Sequence, residues 1–216
     1  MKHILCFENQ ENTISQKRNL RPIKNASIDF VYSTSDLRNQ LRLQGYNILV
    51  FVGKSRQFES TELQKVRNLF PLKVIDVPFE SLDQNLDQFI KSSIDGDFQL
   101  ELQSVITRFK VLSEALEKKS IIEFSQMFPA RFEKYIETVH AALLKKNTNE
   151  LSFQMHTLKS LSANVGGSKL PKMCEHVEYQ KTNDFDFEIP VFVNCIFLEY
   201  KNLNEVLKRA AEIYQH

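Results

Sequence analysis

The sequence predicts two domains of different class: an α/β domain with a small parallel sheet over residues 1–95, then an all-α antiparallel four-helix bundle over residues 96–216. Three observations predict it. Before Asp95, short unbroken apolar runs alternate with helical patterns, as strands covered on both faces require. From Phe98 onward every apolar pattern has helical spacing. Asp95-Gly96-Asp97 separates the two regimes and is the expected boundary.

Taken in order, Ile4 to Phe7, Ile28 to Tyr32, Ile48 to Val52 and Leu72 to Val77 read as four strands. Leu37 and Leu41 predict a helix over Ser35 to Leu43, and Leu63, Val66 and Phe70 another over Thr61 to Phe70. Leu82, Leu86, Phe89 and Ile90 form a further amphipathic face. In the second half, Val105, Phe109, Leu112 and Leu116 fall on one stripe, and Phe132, Ile136, Val139 and Leu143 on the next, with Pro129 as its expected helix start. Lys145-Lys146-Asn147 reads as a helix end and Thr148 or Asn149 as the following cap. A third helix carries Leu151, Met155, Leu158 and Val165 and stops at Gly166-Gly167. A fourth is expected over Ser168 to Gln180, then a loop from Asn183 to Pro190 and a last helix from about Val193 to Tyr214.

Composition narrows the function. Of 216 residues, 42% are apolar and 25% charged, as in globular protein rather than a disordered tail. Thirteen basic residues face 11 acidic ones up to Asp95, and 15 face 16 after it, so neither half suits binding to nucleic acid through its phosphates. The longest apolar run, Ile48 to Val52, falls far short of the roughly 20 residues of a membrane span, and no secretory signal opens the chain. Cys6, Cys174 and Cys195 form no CxxC pair and read as buried reduced thiols of a cytoplasmic protein. With five glycines and neither GxGxxG nor GxxxxGK[ST], no phosphate-cradling loop is expected.

The chemistry-bearing candidate is His156. On a wheel at about 100° per residue with Leu151 at zero, Leu158, Val165, Ser162 and Met155 fall within about 40° of it. His156 falls at about 140°, Ala163 at about 120°, Ser160 at about 180° and Lys159 at about 80°. An imidazole off the buried stripe, beside small residues and a cation, has what a nucleophilic nitrogen needs: access, room for a partner and a counter-charge. The bland alternative is a solvent-facing histidine without a role. His3, His140, His176 and His216 read as structural, and no metal site is assigned to them.

The string His156-Thr157-Leu158-Lys159-Ser160-Leu161-Ser162-Ala163-Asn164-Val165-Gly166-Gly167, followed by Leu170, Cys174 and Glu178, resembles the histidine phosphotransfer (HPt) family. The resemblance runs from about Ile121 to Tyr214. It implies that His156 takes a phosphoryl group from a phospho-aspartate and passes it to another aspartate, with Lys159 steadying the phosphate. The family's usual glycine after the lysine is Ser160 here, a small residue whose hydroxymethyl group stands in the partner's approach. A histidine-kinase reading of the same string needs an ATP-binding domain after the histidine, and the stretch from His156 to His216 is too short to hold one.

The first half resembles a receiver domain of response regulators, through Lys2 to Asn9, Tyr46 to Val52 and Val77 to Leu82. Its departures imply chemical silence: Val52 stands at the phospho-acceptor position, Val77 at the lysine, and Glu8-Asn9 at the acid pair. The segment between is also short, implying an abbreviated receiver; an unrelated small α/β domain is the alternative. The resemblances together imply a phosphorelay protein whose partners are receiver domains or a hybrid histidine kinase. They imply no cofactor or metal of its own, and a receiver-like module that dimerises it or governs His156, with Phe58, Phe70 and Phe79 as candidate contacts. The rival is an adaptor that binds a receiver or kinase without transferring phosphate.

Overall fold

Strands that are apolar along their whole length must be covered on both faces, and here they lie at the centre of the sheet. Strands β1 (Lys2–Glu8) and β3 (Ile48–Val52) pair with each other, β2 (Ala26–Val31) flanks β1, and β4 (Lys73–Val77) flanks β3. All pairings are parallel, in the order β2-β1-β3-β4. Ile4, Leu5, Cys6 and all of β3 are buried, whereas Ile28 and Phe30 on the edge strand β2 are half-buried. The computed structural model describes residues 2–8, 26–52, 63, 64, 66, 73–77, 82–179 and 185–215. It divides into two units, Met1–Ile94 and Asp95–His216.

Helix α1 (Thr34–Leu43) buries Leu37 and Leu41, the two positions expected from their spacing. Its N-cap is Ser33, whose hydroxyl accepts from the Asp36 amide at 3.0 Å. Of the helix expected over Thr61 to Phe70, Leu63, Gln64 and Val66 are helical, with Leu63 and Val66 buried; the rest lies outside the described residues, as do Asn9, Phe58, Phe79 and His216. Register places Glu8 opposite Val52, and Val52 opposite Val77, in one row at the carboxyl ends of β1, β3 and β4.

Asp95-Gly96-Asp97 is not a loop. It lies within a single helix, α2 (Leu82–Leu112), in place of the two separate helical stretches that the sequence predicts. A helical glycine costs only about 1 kcal/mol relative to alanine, and a Cβ at Gly96 would meet nothing within 4 Å. Val105 and Phe109 of its stripe are buried, but Leu116 lies past the helix end and is 48% exposed.

The second correction is Pro129. It lies inside helix α3 (Lys118–Leu144), not at its start. A proline inside a helix costs about 3 kcal/mol. Phe128 and Phe132 flank it and are buried, each gaining about 1.5–3 kcal/mol, so the apolar face carries the helix through. Phe132 also stacks on Tyr200 at 4.2 Å between centroids and 3° between planes.

Helix α4 (Thr148–Asn164) is capped by Asn147, one residue before the expected Thr148 or Asn149, its side chain accepting from the Glu150 amide at 3.1 Å. The expected core stripe of Leu151, Met155, Leu158, Ser162 and Val165 is buried. Helix α5 (Leu170–Glu178) starts later than Ser168, and helix α6 (Glu188–Gln215) starts earlier than Val193. Pro190 therefore sits in the first turn of α6, where a missing amide hydrogen costs nothing. Helix α3 packs on α4 and α6, and α5 on α4 and α6.

The reversal between α4 and α5 needs glycine. Gly166 has φ +88°, and a Cβ there would lie 2.6 Å from Arg108 Cβ and 3.0 Å from Val105 Cα. Left-handed strain of about 1–2 kcal/mol adds to overpacking of about 1–3 kcal/mol. Gly166→Ala is expected to lower unfolding stability by about 2–5 kcal/mol in urea titration; a loss under about 0.5 kcal/mol would contradict this account of the turn.

Candidate functional site

Helix α4 presents one stripe to solvent. Asn149, Phe153, His156, Ser160, Ala163 and Asn164 are exposed and recur at three- and four-residue spacing, opposite the buried stripe. The side chain of His156 is 60% exposed. Ser160 turns its hydroxyl back along the helix, donating to the His156 carbonyl at 3.1 Å. Ala163 adds no bulk one turn further on. The small residues expected to leave room around His156 therefore do share its face.

What orients the ring comes from the neighbouring helix. Glu178, the last residue of α5, places Oε1 2.8 Å from His156 Nδ1, and its side chain is only 8% exposed. Its other oxygen lies 2.6 Å from Lys159 Nζ. Glu175 approaches the same ammonium at 3.7 Å, and the Tyr179 ring lies 5.1 Å from it. Burial opposes the charge on Glu178, but the Lys159 ammonium and then the His156 ring outweigh it, holding the carboxyl below its ordinary pKa. The bond to Glu178 raises the Lys159 pKa against the pull of desolvation.

The protonation state of the pair follows. An ionised carboxylate only accepts hydrogen bonds, so Nδ1 carries the proton and donates. In the neutral imidazole the lone pair then belongs to Nε2. One buried-edge carboxylate thus selects the tautomer whose outer nitrogen is nucleophilic. Lys159, by contrast, does not stand free beside the ring; it is engaged by two carboxylates.

The other candidates fall away. Burial pushes the thiols of Cys6 and Cys174 up to about 12, so neither supplies a thiolate near neutral pH. His140 packs against Phe197 and His176 stacks on Phe192, while His3 Nδ1 lies 3.1 Å from Ser27 Oγ. Among the described residues, no group of three or more His, Cys, Asp or Glu side chains is placed to hold a metal ion. No helix among them is long and apolar enough to cross a membrane.

Glu178 is the residue that the helical wheel of α4 passes over. It stands 22 positions after His156, on another helix. The available signal is its place on α5: one turn beyond the buried Cys174 and two beyond the buried Leu170, an acid at the rim of an apolar stripe. Glu178 enters the sequence reading only as the end of the string that carries the resemblance, without a role; Phe153 and Tyr179, both 65% exposed, are unmarked there, because exposure cannot be read from residue type. Set beside known protein families, curated proteins and solved structures, the chain matches none.

The signs of the two shifts set opposite pH windows. Glu178, with a lowered folded pKa, contributes stability above about pH 4.3 that is lost as pH falls through the lowered value. Lys159, with a raised one, contributes below about pH 10.4 and loses this as pH rises through the raised value. Glu178→Gln is expected to flatten both limbs of the stability profile, measured by urea unfolding from acid to alkaline pH; unchanged limbs would remove this carboxylate from the account.

Proposed function

We propose that this protein is a phosphorelay intermediate in which His156 accepts a phosphoryl group from a receiver's phospho-aspartate and hands it to a second receiver. The observation that carries the reading is the Nδ1–Glu178 bond, which leaves the Nε2 lone pair of an exposed ring available for attack. As Nε2 bonds to phosphorus, the aspartyl oxygen–phosphorus bond breaks and its electron pair returns to the aspartate carboxylate. The ring keeps its Nδ1 proton, so it gains positive charge in the step. The Glu178 carboxylate is already in place to stabilise that charge. Lys159, held against Glu178 and one helical turn from His156, would supply the counter-charge for the phosphoryl group on this chain's side, while the magnesium ion belongs to the receiver.

The helical unit supports the reading as a four-helix bundle formed by α3 to α6, whose contacts run α3–α4–α5–α6 and back to α3. A bundle holds two facing helices in fixed register, which a histidine–carboxylate pair split between them requires. The sheet order β2-β1-β3-β4 matches the first four strands of flavodoxin-like sheets, supporting a receiver-like module in the first unit. Its row of Glu8, Val52 and Val77 supports chemical silence, because ligands of such sheets bind at the carboxyl ends of the strands. We read it as a dimerising or regulatory module of a cytoplasmic signalling protein.

The test is transfer itself. Incubated with phosphorylated receivers, the full chain is expected to gain acid-labile phosphate, and His156→Gln to gain none. That variant loses the ring's bond to Glu178 but leaves no cavity, so it should lower stability by no more than about 1.5 kcal/mol. Label on His156→Gln would move the site; no label on the wild-type chain from any receiver would leave the adaptor reading.

A second measurement addresses the sheet. In the His156→Gln background, small phosphodonors with magnesium should leave the chain unlabelled, and adding Val52→Asp should not change this, since Val77 supplies no ammonium and Asn9 no charge. Hydroxylamine-sensitive phosphate on either protein would overturn the silent-module reading.

A further inference from the structure

The distance between His156 and Glu178 depends on how α5 is rotated against α4, and α5 is tied at both ends. At its C-terminal end, Ser152 Oγ on α4 donates to the Glu178 carbonyl at 3.2 Å. At its N-terminal end the tie comes from α2. Glu101, 3% exposed, accepts from the Ser168 amide at 2.7 Å and from the Ser168 hydroxyl. Ser104 Oγ donates to the Gly166 carbonyl at 2.8 Å, and Arg108 Nε to the Asn164 carbonyl at 3.2 Å. Residues 101, 104, 105 and 108 lie on one face of α2, so that a single face grips the whole α4–α5 connection.

Mere packing does not call for a carboxylate at this place. A buried charge is costly to desolvate, and well-packed apolar groups often do as well or better for stability. What the carboxylate adds is direction. Lys169, the N-cap of α5, makes no side-chain capping bond, and Glu101 instead fixes the residue just before it. The negative charge also suits the positive end of the α5 dipole. With side-chain atoms about 5–6 Å from a helix axis, a rotation of about 10° displaces them by about 1 Å. Such a slip breaks a 2.8 Å bond to Nδ1.

We propose that Glu101 is a positioning residue for His156, acting through Ser168 and α5 to keep Glu178 within hydrogen-bond distance of Nδ1. The role in transfer rests on the phosphorelay reading; the control of ring tautomer does not. The experiment uses the full chain with Ser168→Ala, which keeps the amide bond to Glu101, and with Glu101→Ala and Glu101→Gln. Two quantities are read: the His156 tautomer from ring nitrogen NMR shifts, and the rate of labelling by phosphoramidate. In that reaction the donor's nitrogen–phosphorus bond breaks, ammonia leaves and the phosphoryl group joins Nε2.

Ser168→Ala and Glu101→Ala are expected to shift His156 from the Nδ1–H form to a mixture and to slow labelling at least threefold, with helical circular dichroism retained. Glu101→Gln, which keeps an acceptor oxygen, should restore part of both. A wild-type tautomer in folded Ser168→Ala and Glu101→Ala overturns the proposal, even if both melt earlier, because a purely structural clasp changes stability alone. A tautomer shift in chains that take up no phosphate from phosphoramidate or from phosphorylated receivers, wild type included, upholds the positioning of the ring and overturns the phosphorelay reading instead.

Discussion

Helices α4 and α5 can face each other only because the chain reverses within a few residues, and the reversal requires a left-handed residue pressed against α2. Gly166 meets both conditions at once: its φ of +88° is forbidding for a side chain, and Val105 and Arg108 of α2 fill the space a Cβ would take. The site depends on this turn. His156 lies on the helix before it and Glu178 on the helix after it, so neither helix alone contains the pair. The turn, together with the packing of Leu158, Met155, Cys174 and Val177, brings ring and carboxylate to 2.8 Å.

The electrostatics of the pair matter more for chemistry than for stability. Solvent still reaches the group through the His156 side chain, which is 60% exposed, and this screens the charges. Their effect is to decide protonation. Lys159 keeps Glu178 ionised, an ionised Glu178 can only accept, and the accepted proton fixes which ring nitrogen is basic. A neutral amide in place of the carboxylate could donate to Nδ1 and reverse the tautomer. The lysine thus also acts on the histidine through a shared acid.

The sheet illustrates how a scaffold is separable from chemistry. Parallel pairing and burial demand only apolar residues in β1 and β3, and Val52 satisfies that demand as the final residue of its strand. The same position faces Glu8 and Val77 across the ladder, at the edge where α/β sheets place their ligands. A valine there is favourable for packing and inert toward phosphate, which needs an oxygen nucleophile and a cation. Fold and reactivity separate at that one row.

By itself the sequence determined the periodic features: four apolar strands, the buried faces of α1 and α4, the stop at Gly166, and an exposed His156 flanked by Ser160 and Ala163. These follow from spacing along one element, where geometry is local and the helical or strand repeat decides the face. Boundaries that depend on competing energies were settled by tertiary structure. Pro129 and Gly96 look like breaks in isolation, yet the aromatic face of Phe128 and Phe132 outweighs the proline, and an uncrowded glycine continues α2 at small cost. The site divided the same way. The histidine was legible, but Glu178, Tyr179 and Glu101 come from outside α4, and no periodicity within α4 records which carboxylate a neighbouring helix will deliver to its ring. That pairing exists only once α2, α4 and α5 are packed, because a hydrogen bond is a relation between positions in space and not in the chain.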